Sequence, residues 1–318
     1  MLCFYVQEQE YIIQQAMKIF IKIVLICFLG IMLGKQNLMA EEEEETCVDS
    51  TITFNNQGLK VLTWNIYMLP WYAKITGKKK RAAAIVDQLA NTDYDIIVFE
   101  EAFHKGARSI IKDGLQKLFP YMYGPANPRT LAKANSGVWV VSKIPLHELD
   151  EISYCDCQGT DCWARKGAVM FEGTWLGKTF QLIGTHLQSA GDYAIRKTQI
   201  KEMYAQLLEK FKKPGVPQLI CGDMNINSTD KDYHDMLSTL NAEDGELLGN
   251  QKITFDSQKN DVAGKGEKIE NQIDYILLRT NGAFVKSIKR KVSIFQKSWC
   301  SKKKDLSDHY AVEAVIKF

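Results

Sequence analysis

Six apolar segments of this chain each carry an acid, an amide or a histidine at one end, and this repeated pattern constrains the fold most strongly. The segments are short and are separated by turn-forming residues, which is typical of β-strands. Strands that end at one edge of a sheet place their terminal side chains close together. The segments are VLTWN ending at Asn65, IIVFEE at Glu101, FQLIGTH at His186, PQLICGDMN at Asn225, NQID at Asp274 and SDH at His309.

Strand-like segments alternate with a few amphipathic helices from Leu59 to Phe318, without an internal repeat or a long linker. This number of half-buried strands predicts an α/β (α+β) fold, a four-layer sandwich of two packed mixed β-sheets flanked by helices. Residues 58–318 are predicted to form one catalytic domain. The polar, glycine-containing segment 252–270 is predicted to be a surface loop.

The first forty residues differ in composition from the rest. Residues 17–40 combine a charged start, an apolar stretch and a terminal small residue, which predicts a signal peptide and a secreted protein. Lys22 and Lys35 bracket only twelve residues, whereas a spanning helix needs about 20; a retained N-terminal membrane anchor is the less favoured alternative. Residues 1–16 are interpreted as an extension from a mis-called start codon. Residues 41–57 are predicted to be an acidic, flexible mature N-terminus.

The composition excludes some classes of protein. A hydrophobic content of 46% is normal for a soluble core. The formal net charge of +2 argues against a protein whose affinity depends mainly on covering many phosphates with basic side chains. A nuclease is not excluded by this balance.

The eight cysteines leave several arrangements open. Export permits disulfides, and Cys155, Cys157 and Cys162 lie close together, with Cys47 and Cys300 as distant candidates. A zinc site is the alternative at Cys155, Cys157 and Cys162. A structural zinc site usually takes two ligand pairs, however, and the sequence has no second CxxC or HxxxH. Cys221 lies inside an apolar strand and is predicted to be a buried thiol.

Four residues at the strand ends have the chemistry of a metal and phosphate site. Asp223 and Asn225 are two apart in GDMN, so an extended backbone would direct both side chains to one side, where they could orient a phosphate and its attacking water. Glu101 suits Mg2+, which binds one or two carboxylates and keeps several waters. Asn65 offers a neutral oxygen ligand. Each alone would most often be a turn or solvated residue.

Two of the five histidines belong to the pattern. His186 ends one strand and His309 precedes the last, and a histidine can take a proton from water near neutral pH and return it to a leaving alkoxide. Asp274 is the candidate acid that orients one of them. We assign no role to the other histidines, which are His104, His147 and His234.

Taken in order, these segments resemble the motifs of the endonuclease/exonuclease/phosphatase superfamily over about residues 59–318. The motifs are WN with Asn65, EEAF with Glu101, TH with His186, GDMN with Asp223 and Asn225, IDY with Asp274, and SDH with His309. The family usually has Gln before its metal-binding Glu, whereas Glu100 stands here, and the additional charge is expected to tune metal affinity.

Within the superfamily, WNIYMLP, ARKGAV at 164–169 and GTHLQS at 184–189 look like segments of secreted bacterial sphingomyelinases. Deoxyribonuclease-type nucleases share the TH and SDH elements but not the YMLP and HLQ extensions. Inositol polyphosphate 5-phosphatases should show a PAWCDR-like segment near Asp274, which is absent. The cysteines of CDCQGTDC depart from the bacterial pattern, so no family disulfide is carried over.

The resemblance implies Mg2+-dependent hydrolysis of sphingomyelin to ceramide and phosphocholine, with Mn2+ or Co2+ as substitutes. In that scheme Glu101 and Asn65 hold the metal. His309, oriented by Asp274, is the base for the attacking water, with Asp223 as the rival base. Asn225 positions the water or the phosphate, and His186 donates to the phosphoryl or leaving oxygen. Asp308 supports the metal site or His309, and Lys166 contacts the phosphate.

A substrate in a bilayer requires a docking surface. Trp71 and Tyr72, and Phe295 and Trp299 among basic residues, have the character of interfacial anchors, although a core role for each pair is an equal alternative. No obligate protein partner is evident. A secreted nuclease is the alternative function, and a catalytically dead binding module is disfavoured because every expected catalytic position is filled.

Overall fold

The computed structural model describes residues 58–70, 73, 77–264 and 266–318. The predictions for residues 1–57, and the proposed anchors Trp71 and Tyr72, lie outside this part of the chain. No helix among the described residues is long and apolar enough to cross a bilayer.

Two mixed sheets form the centre of the molecule. One sheet has seven strands in the order β3-β4-β2-β1-β16-β13-β9, and the other has five in the order β12-β8-β7-β6-β5. The strands of the first sheet are β1 Leu59–Asn65, β2 Ile96–Glu100, β3 Tyr121–Tyr123, β4 Trp139–Ser142, β9 Glu246–Leu248, β13 Ser287–Ser293 and β16 Ala311–Lys317. Those of the second are β5 Leu146–Ser153, β6 Gly167–Trp175, β7 Lys178–His186, β8 Gln218–Asp223 and β12 Asp274–Arg279.

Helices cover the outer faces of both sheets. The α-helices are α1 Lys78–Leu89, α2 Lys105–Leu115, α3 Tyr193–Met203 and α4 Lys231–Leu240. A 3-10 turn covers Gly159–Trp163. Helix α3 ends at Met203, and the chain continues as a π-helical turn over Tyr204–Glu209, which buries both Leu207 and Leu208. Two short hairpins complete the fold, with strands β10 Phe255–Asp256, β11 Glu270–Asn271, β14 Gln296–Cys300 and β15 Lys303–Asp305.

Alternation along the central strands builds the layers. In β1, Val61 packs in the cluster between the two sheets, while Leu62 and Trp64 pack with α1 and α2. In β8, Leu219 faces the other sheet and Ile220 faces α3 and α4. Because successive side chains of a strand point to opposite faces, strands covered on both sides are apolar throughout. The result is the predicted four-layer sandwich.

Strand direction brings the predicted site residues to one edge. β1 and β2 are parallel, with Asn65 opposite Glu100, and β7 and β8 are parallel, with His186 opposite Asp223. β12 runs antiparallel to β8, so its first residue, Asp274, is paired with Asp223. β16 runs antiparallel to β1 and begins directly after His309 and Tyr310. Carboxyl ends of parallel strands and starts of their antiparallel neighbours therefore meet at the same edge.

Segment 252–270 differs from the predicted surface loop. It contains β10, which pairs with β11, and Thr254, Asp256 and Asn260 are almost completely buried. The Thr254 hydroxyl accepts hydrogen bonds from the amides of Ile273 and Asp274. Its polar side chains looked solvated in the sequence, but they satisfy backbone groups beneath the site edge.

Candidate active site

All the predicted site residues gather at this shared edge. Asp223 is the central group, since its carboxylate contacts Asn65 and both histidines. Asn225 and Lys166 approach it from the loops after β8 and before β6. The gathered residues are Asn65, Glu101, Lys166, His186, Asp223, Asn225, Asp274, Asp308 and His309.

His309 forms a buried pair with Asp274. Its Nδ1 lies 2.9 Å from Asp274 Oδ2, and its Nε2 lies 3.8 Å from Asp223 Oδ2. Burial alone would lower the pKa of His309, but the carboxylates of Asp274 and Asp223 outweigh it, so that pKa lies well above its usual value. The Trp64 indole donates to the His309 carbonyl at 3.1 Å, and the Phe255 ring packs edge-on against the imidazole.

His186 has the opposite environment. Lys166 Nζ lies 3.0 Å from His186 Nε2 and also donates to the Leu187 carbonyl at 2.8 Å. Burial and then the charge of Lys166 lower the pKa of His186 to about 3. Because lysine offers only donors, Nε2 accepts and the ring proton lies on Nδ1. This geometry gives His186 Nε2 an acceptor role toward Lys166, and the donor role implied by the resemblance stays a prediction.

Asp161, which the sequence analysis overlooked, holds Lys166 in place. Its Oδ2 lies 2.9 Å from Lys166 Nζ and accepts from the amide and hydroxyl of Ser189. The disulfide Cys157–Cys162 closes the segment that carries Asp161. The cysteine spacing pointed to this segment, but nothing in the sequence linked it to Lys166. Among the described cysteines, Cys155, Cys221 and Cys300 are free, and Cys221 is buried as predicted.

Two amides complete the contacts of Asp223. Asn65 Nδ2 donates to Asp223 Oδ2 at 3.1 Å, while its Oδ1 accepts from the Tyr67 amide. The backbone amide of Asn225 donates to Asp223 Oδ1 at 3.0 Å, and its side-chain Nδ2 donates to the Leu187 carbonyl. Asn225 itself adopts a left-handed conformation with φ 50°, so the extended backbone expected through GDMN ends before it.

Glu101 has the properties of a cation ligand. It follows β2 in a left-handed conformation with φ 53°. Its Oε2 is buried and accepts no hydrogen bond from the described residues. Burial and then the charge of Asp308 raise the pKa of Glu101 to about 8. An orphaned carboxylate oxygen beside a second acid fits a hard divalent cation, which carries the missing positive charge and prefers oxygen.

A second group of potential ligands lies close by. Within the described part of the chain, Asp223, Asp274 and His309 form a cluster whose ligand atoms lie within 4.8 Å of one another. His309 Nδ1 already pairs with Asp274. Glu101 keeps a buried carboxylate oxygen that has no partner among the described residues, so Glu101, with Asn65, is the better candidate.

Glu100 is completely buried and accepts a 2.7 Å hydrogen bond from Thr63. Burial, with the nearby charges of Asp274 and Asp223, raises its pKa well above the usual value. Its expected effect on metal affinity stays a prediction.

Arg81 links the segment that follows β1 to the segment that precedes His309. Its guanidinium is buried and donates to the carbonyls of Ile66 and Tyr67 on one side and Leu306 on the other. His104, to which we assigned no role, accepts from the Ala107 amide and caps α2.

Phe295 and Trp299 are less free than interfacial anchors need to be. The Phe295 ring lies 4.9 Å from that of Trp64, and both Phe295 and Trp299 pack partly buried against the cluster under α1 and α2. The Trp299 indole donates to the Asp305 carbonyl at 2.8 Å. Insertion into a bilayer would require these contacts to break, so the core role left open for this pair is the better supported one.

The fold and this edge define a class of protein. Residues 62–309 match the sequence model of the Endonuclease/Exonuclease/phosphatase family, which covers well over half of the chain. The chain belongs to this family.

Curated relatives and solved structures show which members of the family this chain is similar to. The chain is 29% identical over 297 residues to "Sphingomyelinase C" of Leptospira interrogans, covering 82% of this chain and 52% of the relative. It thus spans about half the length of that relative. It is 28% identical over 338 residues to "Sphingomyelinase C" of Bacillus cereus, covering 91% and 95%. A crystal structure of a beta toxin mutant from Staphylococcus aureus with bound magnesium ions superimposes with a TM-score of 0.72 at 26% identity, covering 81% and 99%.

Proposed function

We propose that this chain is a secreted, Mg2+-dependent phosphodiesterase that hydrolyses sphingomyelin to ceramide and phosphocholine. The observation that carries the proposal is the convergence of two different histidine pairs on Asp223. His309 is paired with the acid Asp274, and His186 is paired with the base Lys166. The orphaned carboxylate of Glu101 stands beside them. The names and coverage of the relatives support the choice of substrate.

Glu101 and Asn65 would hold the cation, and Asp308 would supply charge beside it. When bound, the cation neutralises charge on the nonbridging phosphoryl oxygens and stabilises the leaving alkoxide. Asn65 Oδ1 accepts only the Tyr67 amide and keeps one lone pair for this purpose.

His309 is the group that takes a proton from the attacking water. Asp274 fixes Nδ1 as the protonated nitrogen and leaves Nε2 directed toward Asp223. General-base catalysis requires a neutral ring, so the working form is the one in which Nε2 is free. Asp223, in contact with the same space, remains the rival base.

Lys166 and His186 act as a unit on the phosphate side. The Lys166 ammonium already donates to His186 Nε2, the Leu187 carbonyl and Asp161 Oδ2, so it would contact a phosphoryl or leaving oxygen by exchanging one of these three partners. The neutral His186 orients it by accepting one of its hydrogens. Asn225 has a second Nδ2 hydrogen beyond the one given to the Leu187 carbonyl, which is available to phosphate or water.

The test is a pair of substrates in parallel. The protein is incubated with sphingomyelin liposomes and with plasmid DNA, each with Mg2+, Mn2+, Co2+ or EDTA, and with His309→Ala as the control. We expect phosphocholine release that needs the cation and His309, with DNA left intact. Cleavage of DNA without phosphocholine release would favour a secreted nuclease. Hydrolysis of neither substrate with any of the three ions would favour a binding module.

Export is part of the same proposal. Residues 17–40 are proposed to be removed, which would leave residues 41–57 as an acidic leader before the catalytic domain at 58–318. Sequencing the N-terminus of protein collected from culture medium tests this directly. A start before residue 40 would support a retained segment instead.

A further inference from the structure

A cleft opens beside the site, between the start of α2 and the loop 129–135, with Trp163 at its side. Its volume is about 800 Å3. None of the proposed catalytic residues lines it. We call it the basic cleft and define it by Lys105, Arg108, Arg129, Leu131, Lys133 and Trp163, which are among its lining residues.

The charge of the basic cleft has one sign. Lys105, Arg108, Arg129 and Lys133 line it, and no Asp or Glu does. None of these four cations forms an ion pair with another described residue. The Arg108 guanidinium donates to the carbonyls of Ala102 and Phe103, whereas Lys105, Arg129 and Lys133 are exposed. Such a surface complements an anion.

Two large apolar side chains stand in solvent on the same cleft. Leu131, at the tip of the loop, is fully exposed, and Trp163 is 59% exposed. Exposed apolar groups among basic residues are the combination found in segments that lie in the headgroup region of a bilayer. A nucleic acid would also complement the charge, but two exposed apolar side chains among basic residues favour the headgroup region of a bilayer.

The basic cleft is bordered by two segments that lead to the proposed catalytic edge. Phe103, also in its lining, follows Glu101 by two residues. On the other wall, the Ala134 amide donates to the Trp163 carbonyl, and the Arg165 amide donates to the Ala134 carbonyl, directly before Lys166. An occupant of the cleft would therefore be a neighbour of the molecule being hydrolysed.

We propose that the basic cleft docks the protein on a membrane by binding the phosphate-bearing headgroup of an anionic phospholipid, while Leu131 and Trp163 enter the interface. This inference rests on the proposed function for its biological meaning, but the binding that it predicts needs no turnover. It assigns docking to residues other than those of the 295–299 hairpin.

Vesicle binding tests the proposal with a matched control. Co-sedimentation is measured in EDTA with vesicles of phosphatidylcholine and sphingomyelin, with and without phosphatidylserine. The test variant combines Arg129→Glu, Leu131→Asp and Lys133→Glu. The control combines Leu176→Asp, Lys178→Glu and Lys286→Glu, which are exposed positions at the opposite edge of the sheets.

We expect wild type and the control to bind the phosphatidylserine vesicles more tightly than the neutral ones, with a decrease at high salt. The test variant should lose about 30-fold in affinity, because each basic residue near an anionic surface contributes about 1 kcal/mol and tenfold corresponds to about 1.4 kcal/mol. Equal binding by the test variant and wild type would overturn the proposal. So would equal losses in test and control variants, or the same affinity of wild type for neutral vesicles.

Two further measurements distinguish membrane docking by the basic cleft from the proposed hydrolysis and from nucleic-acid binding. Hydrolysis of a soluble phosphocholine diester should be the same in wild type and the test variant, since no exchanged residue belongs to the proposed catalytic set. If wild type hydrolyses nothing but the vesicle result holds, the proposed function fails and the docking surface stands. Retention of plasmid DNA that the test variant loses, without a change in vesicle binding, would identify the cleft as a nucleic-acid site and overturn the lipid proposal.

Discussion

His309 and His186 face the same carboxylate from two sides, and their pKa values are shifted in opposite directions. Their Nε2 atoms lie 3.8 Å and 3.5 Å from Asp223 Oδ2. Both rings are almost completely buried. Burial lowers the pKa of both rings, but Asp274 and Asp223 bring that of His309 above its usual value, whereas Lys166 adds to the lowering at His186, to about 3.

Burial and Asp223 act on both rings, so the difference between their pKa values comes from the second neighbour, which is Asp274 at His309 and Lys166 at His186. A single edge of the sandwich thereby holds one imidazole that can exchange protons and one that stays neutral over the physiological range. The two sides can be separated by experiment.

The largest expected effect is on the His309 side. His309→Ala should lower kcat by about 10²- to 10⁴-fold, the usual contribution of a positioned acid or base. The measurement is phosphocholine release from sphingomyelin vesicles. His147→Ala is the matched control, since His147 is exposed on β5, and it should keep full activity. A loss of less than tenfold in His309→Ala would transfer the base role to Asp223.

The two histidines should also give opposite pH dependence of stability. The raised pKa of His309 contributes stability that is complete below its unfolded value of about 6.5 and is lost as the pH rises through the folded value. The lowered pKa of His186 acts in reverse, because between about 3 and 6.5 the unfolded chain binds the proton and the folded chain does not. That part of the stability is lost as the pH falls.

Urea unfolding as a function of pH measures both contributions. His186→Gln should flatten the acid limb, and His309→Gln should flatten the limb above pH 6.5. Each pKa unit corresponds to about 1.36 kcal/mol. Identical pH profiles for the two variants would break the comparison.

Cation binding should release a proton, because Glu101 has a pKa of about 8 and only its ionised form can be a ligand. Titration calorimetry of Mg2+ at pH 7 in buffers of different ionisation enthalpy measures the release. Glu101→Gln should bind Mg2+ about tenfold more weakly, which corresponds to about 1.4 kcal/mol, and release no proton. Proton release that persists in this variant would indicate that the cation binds instead at the cluster of Asp223, Asp274 and His309.

The smallest effect is expected from opening the segment that holds Asp161. Cys157→Ser combined with Cys162→Ser should lower activity only a few-fold, because Lys166 keeps its contacts with His186 and the Leu187 carbonyl. The nuclear magnetic resonance titration of His309 should be unchanged, whereas that of His186 should respond. A shift of His309 instead would contradict the independence of the two sides.

The strand ends were predictable because the alternation of buried residues and the polar residue that stops it are both local signals. That signal placed Asn65, Glu101, His186, Asp223 and Asp274 at one edge. It could not reveal Asp161, whose link to Lys166 depends on where a loop folds back. Nor could it show that burial raises the pKa of Glu100 or that Thr254, Asp256 and Asn260 are buried, since both depend on packing across the tertiary structure.

The left-handed backbone at Tyr67 and Glu101, with φ near 50° at both, has an evolutionary consequence. A residue with a β-carbon pays about 1–3 kcal/mol for such a conformation, and glycine would not. Selection for stability alone would therefore replace both side chains. A related sequence with glycine at position 101 would indicate a lineage that has lost hydrolysis and kept the fold.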